Sequence, residues 1–274
     1  MSEFLQTAID AAKEAEDVIL RYFDKGVDVK YKSDQTPVTE ADTGAEAIIK
    51  EVIGAAFPDH SFIGEETGLT GTESGYVWII DPIDGTKNFV RKLPFFGTLI
   101  ALMRDGEFIV GVSNAPVMKE LVYAEKGSGA FMNGTRIHVS ATSDMSRAYV
   151  GHGGLSRFNT NGRLPGLVSL VSGTHACRGF GDLWSYNLLA QGKIDIVAEA
   201  GLKVWDVAPA AVIINEAGGK MTDLDGKPIG LDTTTALATN GILHEASVEH
   251  FRTKLSGVVS VSYTHLTLPT NREV

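Results

Sequence analysis

The sequence predicts an α/β protein in two parts: an α+β part over residues 1–140 and an α/β part over 141–257. Three observations predict it. Before residue 140, two amphipathic helical stretches precede apolar runs broken by Asp-Gly and Asn-Gly, the pattern of helices followed by hairpins. After it, short apolar runs alternate with helical stretches, as in layered sheets and helices. Finally, 274 residues with 43% hydrophobic and 21% charged side chains suffice for two cores. The last stretch, residues 258–274, turns rich in Thr, Ser and Val and is expected to be a disordered tail or an artefact outside the fold.

Each element has its own signal. Phe4, Leu5, Ala8, Ile9, Ala12, Ile19, Tyr22 and Phe23 recur at helical spacing, so residues 3–24 form a helix. "VKYKSDQTPV" is polar and carries a proline, which suits a loop or a hairpin. Thr39 and Asp42 form a Thr-x-x-Asp capping pattern that opens a second helix, ended by Pro58. "SFIGEE" and "YVWIIDP" are strands, and the near-continuous apolar run Val77 to Ile80 suits burial on both faces. Residues 97–116 form a hairpin turning at Asp105-Gly106, and residues 121–139 form a second turning at Asn133-Gly134.

In the second part, "RAYVGHG" is a strand, "GRLPGLVSLV" a helix, and "DLWSYNLLAQ" a helix stopped by Gly192. "IDIVAEA" is a strand, "WDVAPAAVIINEA" a helix closed by Gly218 and Gly219, "ALATN" a strand, and "HEASVEHFRTKL" the last helix.

Charge and composition exclude several functions. The 24 Lys and Arg against 34 Asp and Glu leave a net charge of −10, which argues against a nucleic-acid partner gripped through its phosphates. No stretch approaches a membrane span, and the N-terminus lacks a basic start and an unbroken apolar core; the expectation is a cytoplasmic enzyme with no membrane partner. The single Cys177 excludes an intramolecular disulfide and a cysteine metal cage.

The acidic residues are more informative. Asp81 ends the apolar strand, Pro82 turns the chain, and Asp84 swings back toward Asp81. "FIGEETG" places Glu65 and Glu66 at a second strand end. Carboxylates converging at strand ends need counter-charge, and an oxygen-only ligand set selects Mg²⁺, Mn²⁺ or Ca²⁺ over zinc. Gly85 permits close backbone approach, and "GTKNF" can open a helix whose first amides cradle phosphate. Asp206, just ahead of a helix with Pro209 in its first turn, is either a plain N-cap or a further metal acid. Asp42 is either a cap or part of the chemistry.

"PVTEAD", "FIGEE", "WIIDPIDGTKNF" and "WDVAPAAVIINEAGG" together resemble the inositol-monophosphatase-like family of Mg²⁺-dependent phosphatases over roughly residues 4–255. The resemblance implies a layered α-β-α-β-α sandwich, a homodimer, and two or three Mg²⁺ ions (Mn²⁺ as a substitute) acting on a small phosphate monoester. It implies Glu65, Asp81 and the Ile83 carbonyl for the first ion, Asp81, Asp84 and Asp206 for the second, and Glu65 again for a third. Gly85 and Thr86 would hold phosphate, Thr86 and Asp42 would polarise the attacking water, and Lys32 would lie near the site.

"HACRGFGDLWSYNLLAQGKIDIVAEAGLKVWD" resembles the histidinol-phosphatase branch. A cationic leaving group would suit Asp182 and Glu199, with Arg178 pairing Asp182 or contacting phosphate. Asp182 as a helix cap, and Trp184 and Tyr186 as core, are the plainer readings. Inositol monophosphate is the alternative substrate within the family, and a non-catalytic metal or ligand sensor on the same fold is the alternative class.

Overall fold

A computed structural model of the chain describes residues 1–25, 29–31, 37–71 and 75–252. Lys32 and the 258–274 stretch lie outside the described residues.

The first part opens with α1 (Glu3–Lys25), then β1 (Val29–Tyr31) and β2 (Pro37–Thr39), which pair antiparallel, then α2 (Glu40–Ala56). The α2 N-terminus carries the expected capping box: the Asp42 carboxylate takes the Thr39 N–H at 2.7 Å, and the Thr39 hydroxyl takes the Ala41 N–H at 3.2 Å. Next come β3 (Ser61–Gly64), β4 (Gly68–Thr70), β5 (Tyr76–Asp84), the one-turn α3 (Thr86–Val90), β6 (Gly97–Arg104), β7 (Glu107–Ala115), β8 (Glu120–Glu125), β9 (Gly129–Met132) and β10 (Thr135–Ile137).

The second part runs β11 (Tyr149–His152), α4 (Leu155–Thr160), α5 (Leu164–Ser172), β12 (Ala176–Arg178), α6 (Asp182–Ala190), β13 (Ile196–Ala200), α7 (Val204–Glu216), β14 (Lys220–Thr222), β15 (Thr235–Thr239) and α8 (His244–Arg252). Among the described residues the strands make an eight-stranded sheet, β10-β9-β8-β7-β6-β5-β3-β4, and a five-stranded sheet, β12-β11-β13-β15-β14, besides the β1–β2 pair.

Side-chain alternation shows how these stack. Trp78, Ile80, Ile100 and Leu102 join the core with α1 and α2, while Ile79, Ala101 and Met103 face Val204 and Ala208 of α7. In the small sheet, Val197, Ala236 and Ala238 face α6 and α7, and Ile196, Ala198 and Leu237 face the α4, α5 and α8 side. The layers therefore run α-β-α-β-α, with α7 shared between the two sheets. Helix α7 approaches β7 so closely that a Cβ on Gly111 would stand 2.4 Å from the Pro209 carbonyl oxygen.

Several details differ from the sequence reading. The expected second hairpin is three strands, because Lys126 to Ser128 make a turn of their own before the Asn133-Gly134 turn. Asp206 is no N-cap: it is the third residue of α7, and its carboxylate takes the Lys203 N–H at 2.8 Å. Asp182 does not cap α6 either; Gly181 occupies that position, and Asp182 is the first helical residue, held at a positive φ of 50°. Short β4, β12 and β14 and helix α4 were not read from the sequence.

Candidate active site at the strand ends

The centre of the site is the end of β5. In a straight strand, residues three apart point to opposite faces, so Asp81 and Asp84 should be separated by the sheet. They are not, because the β5–β6 register shifts between them: Asp81 pairs with Leu99, but Asp84 pairs with Gly97. The extra residue is a β-bulge, which re-aims a side chain. Thr98 supports the bulge by donating its hydroxyl proton to the Pro82 carbonyl at 2.9 Å.

Asp84 therefore returns to the Asp81 face, where Asp206 arrives from α7. Carboxylate oxygens of Asp81, Asp84 and Asp206 all lie within 4.8 Å of one another. The Glu65 amide donates to the Ile80 carbonyl at 3.0 Å, which holds the β3 exit beside Asp81.

A cavity lies over this cluster. Glu65, Asp81, Ile83, Asp84, Gly85, Thr86, Asp182, Glu199 and Asp206 line it, together with Lys87, Arg157, Tyr186 and Leu202. Asp42 is buried behind the lining and meets it through Thr86. Its Oδ2 takes the Thr39 N–H and hydroxyl, while Oδ1 stands 3.5 Å from the Thr86 hydroxyl. The same hydroxyl lies 3.0 Å from the Ile83 carbonyl. Capping and a place at the reacting end are thus compatible in one side chain. Gly85 adopts a φ of 83°, and a Cβ there would meet the Phe95 carbonyl at 2.8 Å, so the loop into α3 requires glycine.

Electrostatics define what the cluster lacks. Burial, then Glu65, Asp84 and Asp206, push Asp81 well above the ordinary carboxylate range. Burial, then Asp182 and Asp206, do the same to Asp84, against a hydrogen bond of 2.5 Å from the Leu183 amide. Burial raises Asp206 to about 6 despite its bond from Lys203, and raises Asp42 to about 6 despite Thr39. The Asp81 Oδ1 atom is buried with no hydrogen-bond partner. Clustered carboxylates with an orphaned oxygen are costly unless cations or protons neutralise them. The residues present fit divalent cations bound by oxygen alone.

The far end of the cavity is also acidic. Burial and the Asp182 and Asp206 charges push Glu199 well above its usual range, and its Oε1 is buried without a partner. The Tyr186 hydroxyl, also buried and unpartnered, lines the same wall. Burial raises Asp182, against the pull of Arg157 and Lys87, and its carboxylate takes the Asn88 side-chain N–H at 3.0 Å.

Arg178 is not brought here. It is exposed, donates to the Cys177 carbonyl at 2.7 Å and lies 5.8 Å over the Tyr149 ring. The arginine at the cavity is Arg157 on α4, which carries no motif that a sequence reading would catch. Trp184 packs between Phe95 and Phe180, outside the cavity lining.

The strand-end acid cluster could hold a divalent cation beside a glycine-opened helix turn, an arrangement that suits phosphoryl transfer. The model of the inositol monophosphatase family matches residues 1–256. A histidinol-phosphatase of Streptomyces coelicolor is 42% identical over 232 residues, covering 81% of this chain and 86% of that one. An inositol monophosphatase of Mesembryanthemum crystallinum is 36% identical over 264 residues, covering 92% and 97%. The crystal structure of the extragenic suppressor protein suhB from Bartonella henselae superposes with a TM-score of 0.87 at 29% identity, covering 93% of this chain and 100% of that one. The chain belongs to the inositol monophosphatase family and is a phosphatase of that type; the family is generally metal-dependent.

Proposed function

We propose that the chain hydrolyses L-histidinol phosphate to L-histidinol and phosphate with the aid of Mg²⁺. The observation that carries the substrate choice is the acidic wall opposite the cluster: Asp182 and Glu199, whose Oε1 is buried without a partner, beside Tyr186. Such a wall suits a leaving group bearing an ammonium and an imidazole better than a neutral polyol. The likeness to histidinol-phosphatases supports the same choice.

In this reading Glu65, Asp81, the Ile83 carbonyl, Asp84 and Asp206 hold the ions. Bound divalent ions would lower the pKa of a water and neutralise the charge on the phosphoryl oxygens. Gly85 and Thr86 orient the phosphoryl group through the first amides of α3. Thr86 Oγ1 and Asp42 Oδ1 orient the water and accept its proton. The water oxygen forms a bond to phosphorus as the bond to the histidinol oxygen breaks, and the leaving oxygen gains a proton. No residue is needed as a covalent nucleophile. Asp182 and Glu199 hold the leaving group's cation.

The test is phosphate release from histidinol phosphate and inositol 1-phosphate at matched concentrations, with Mg²⁺ and with EDTA. A Mg²⁺-dependent preference for histidinol phosphate is expected. A preference for inositol 1-phosphate would overturn the substrate, and undiminished turnover in EDTA would overturn the metal dependence.

A further inference from the structure

We infer that Glu46 is a positioning residue that sets Glu65 in place for cation binding, an inference that rests on the metal-dependent reading of the site. Glu46 lies on α2 one turn beyond Asp42 and is only 1% exposed. It is not among the residues lining the cavity, yet its carboxylate grips the chain on both sides of Glu65. Oε2 takes the Glu66 backbone N–H at 2.9 Å, and Oε1 takes the Thr67 hydroxyl at 2.5 Å. Before Glu65, the carboxylate fills the space a Gly64 side chain would need: a Cβ there would lie 2.2 Å from Oε1 and 2.7 Å from Oε2.

Lys50 completes the arrangement. Its ammonium lies 3.2 Å from Glu46 Oε1, bonds the Thr67 hydroxyl and stands 3.3 Å from the Thr70 hydroxyl. The buried charge is thus paired, and the β3–β4 connection is tied to α2. Because Asp42 and Glu46 share a helix face, the same helix fixes a residue at the water end and the carriage of Glu65. Glu65 is held from the other side by its own amide on Ile80. Removing Glu46 leaves that bond but frees the segment after it, so the Glu65 carboxylate loses its aim toward Asp81 while the sheet stays paired.

The experiment is calorimetric titration of EDTA-stripped, full-length protein with Mg²⁺, alongside the Mg²⁺ concentration for half-maximal turnover, kcat and Tm. Outer-shell partners of metal ligands typically contribute about 10–100-fold in affinity. E46A should therefore weaken Mg²⁺ binding about tenfold or more and raise the half-maximal Mg²⁺ concentration equally, with kcat at saturating Mg²⁺ within about threefold of wild type. E46Q, which keeps an acceptor oxygen, should restore part of the affinity. G64A should mimic the loss in the wild-type background and add nothing in the E46A background, because the atoms nearest to its methyl belong to Glu46.

A lower Tm with unchanged Mg²⁺ affinity in E46A and G64A would overturn the inference. If wild-type protein itself bound no Mg²⁺, the metal reading would fall first and the inference with it.

Discussion

The two ends of the cavity are built by different means. At the cation end, Asp81 and Asp84 come from one strand end within four residues, and Glu65 directly follows the adjacent parallel strand. Asp206 and Asp42 are third residues of two helices, each giving one oxygen to its own capping box. Backbone pairing and capping fix every one of these groups. At the leaving-group end, Asp182 sits at a positive φ, Glu199 comes from the second sheet, and Arg157 is an exposed residue of a short helix. The acids of the cation end, though they run from position 42 to 206, are each fixed by backbone pairing or capping, whereas the leaving-group end gathers Arg157, Asp182 and Glu199 from three separate elements of the second part. Chemistry common to a family belongs on the first, and discrimination among substrates on the second.

Substitutions at the two ends should separate these roles. The largest effect is expected for Asp84→Asn, which removes one charge of the cluster while keeping the shape. Turnover should fall about 10³-fold on any substrate, on the scale of the several kcal/mol that a bound ion supplies. The Mg²⁺-induced rise in Tm should vanish too. Wild-type turnover in this variant would remove the cluster from the chemistry.

Asp182→Ala comes next. Loss of one charge-assisted contact should lower kcat/KM for histidinol phosphate roughly tenfold or more, with a smaller loss on inositol 1-phosphate. Equal losses would show that the acidic wall does not read the leaving group.

A third prediction concerns pH. Asp42 and Asp206 are raised to about 6 in the fold, above their ordinary value of 3.8. Between these values the folded chain binds more protons than the unfolded chain, so stability falls as pH rises. Cation-free protein should lose several degrees of Tm from pH 4.5 to 7.5 relative to an Asp206→Asn variant, and saturating Mg²⁺ should restore them at pH 7.5. A flat difference between the two proteins would refute the assignment.

The smallest effect is expected for Arg178→Ala, whose guanidinium stacks on Tyr149 away from the cavity. kcat/KM should change less than about twofold, in contrast to Arg157→Ala, which removes the arginine nearest the acidic wall. A large loss for Arg178→Ala would return that residue to the site.

The same contrast explains how much could be read from the sequence. The Asp81–Asp84 pair was visible because an apolar run delivers it and Gly85 follows at once. The Asp42 cap was visible because Thr39 begins it. Asp206 was read as an N-cap, a metal acid or both; its exact place, third in the helix and not the cap, was hidden because the residue that precedes the helix, Lys203, is no usual capping type. The turn at Lys126 to Ser128 was overshadowed by the stronger Asn133-Gly134 signal, so two strands were expected where three exist. Arg157 left no trace because proximity across two sheets has no local pattern, and Arg178, nearer in sequence to Asp182, was expected in its stead. Glu46 was hidden for another reason: its i,i+4 pair with Lys50 looks like an ordinary helix-surface ion pair, and its contacts beside Glu65 are a backbone amide, a threonine hydroxyl and the empty side of a glycine.

The bulge in β5 also limits how this motif can be transplanted. Two acids at odd spacing share a face only where the opposing strand skips a residue, as β6 does here between Leu99 and Gly97; Gly97 is itself packed against the next strand, since a methyl group on it would stand 2.2 Å from the Asn114 carbonyl oxygen of β7. Copying Asp-Pro-Ile-Asp onto a regular strand of another scaffold would leave the carboxylates back to back. A faithful graft must carry two strands, with the facing Gly97, the Thr98 prop and their mismatched register moved as one unit.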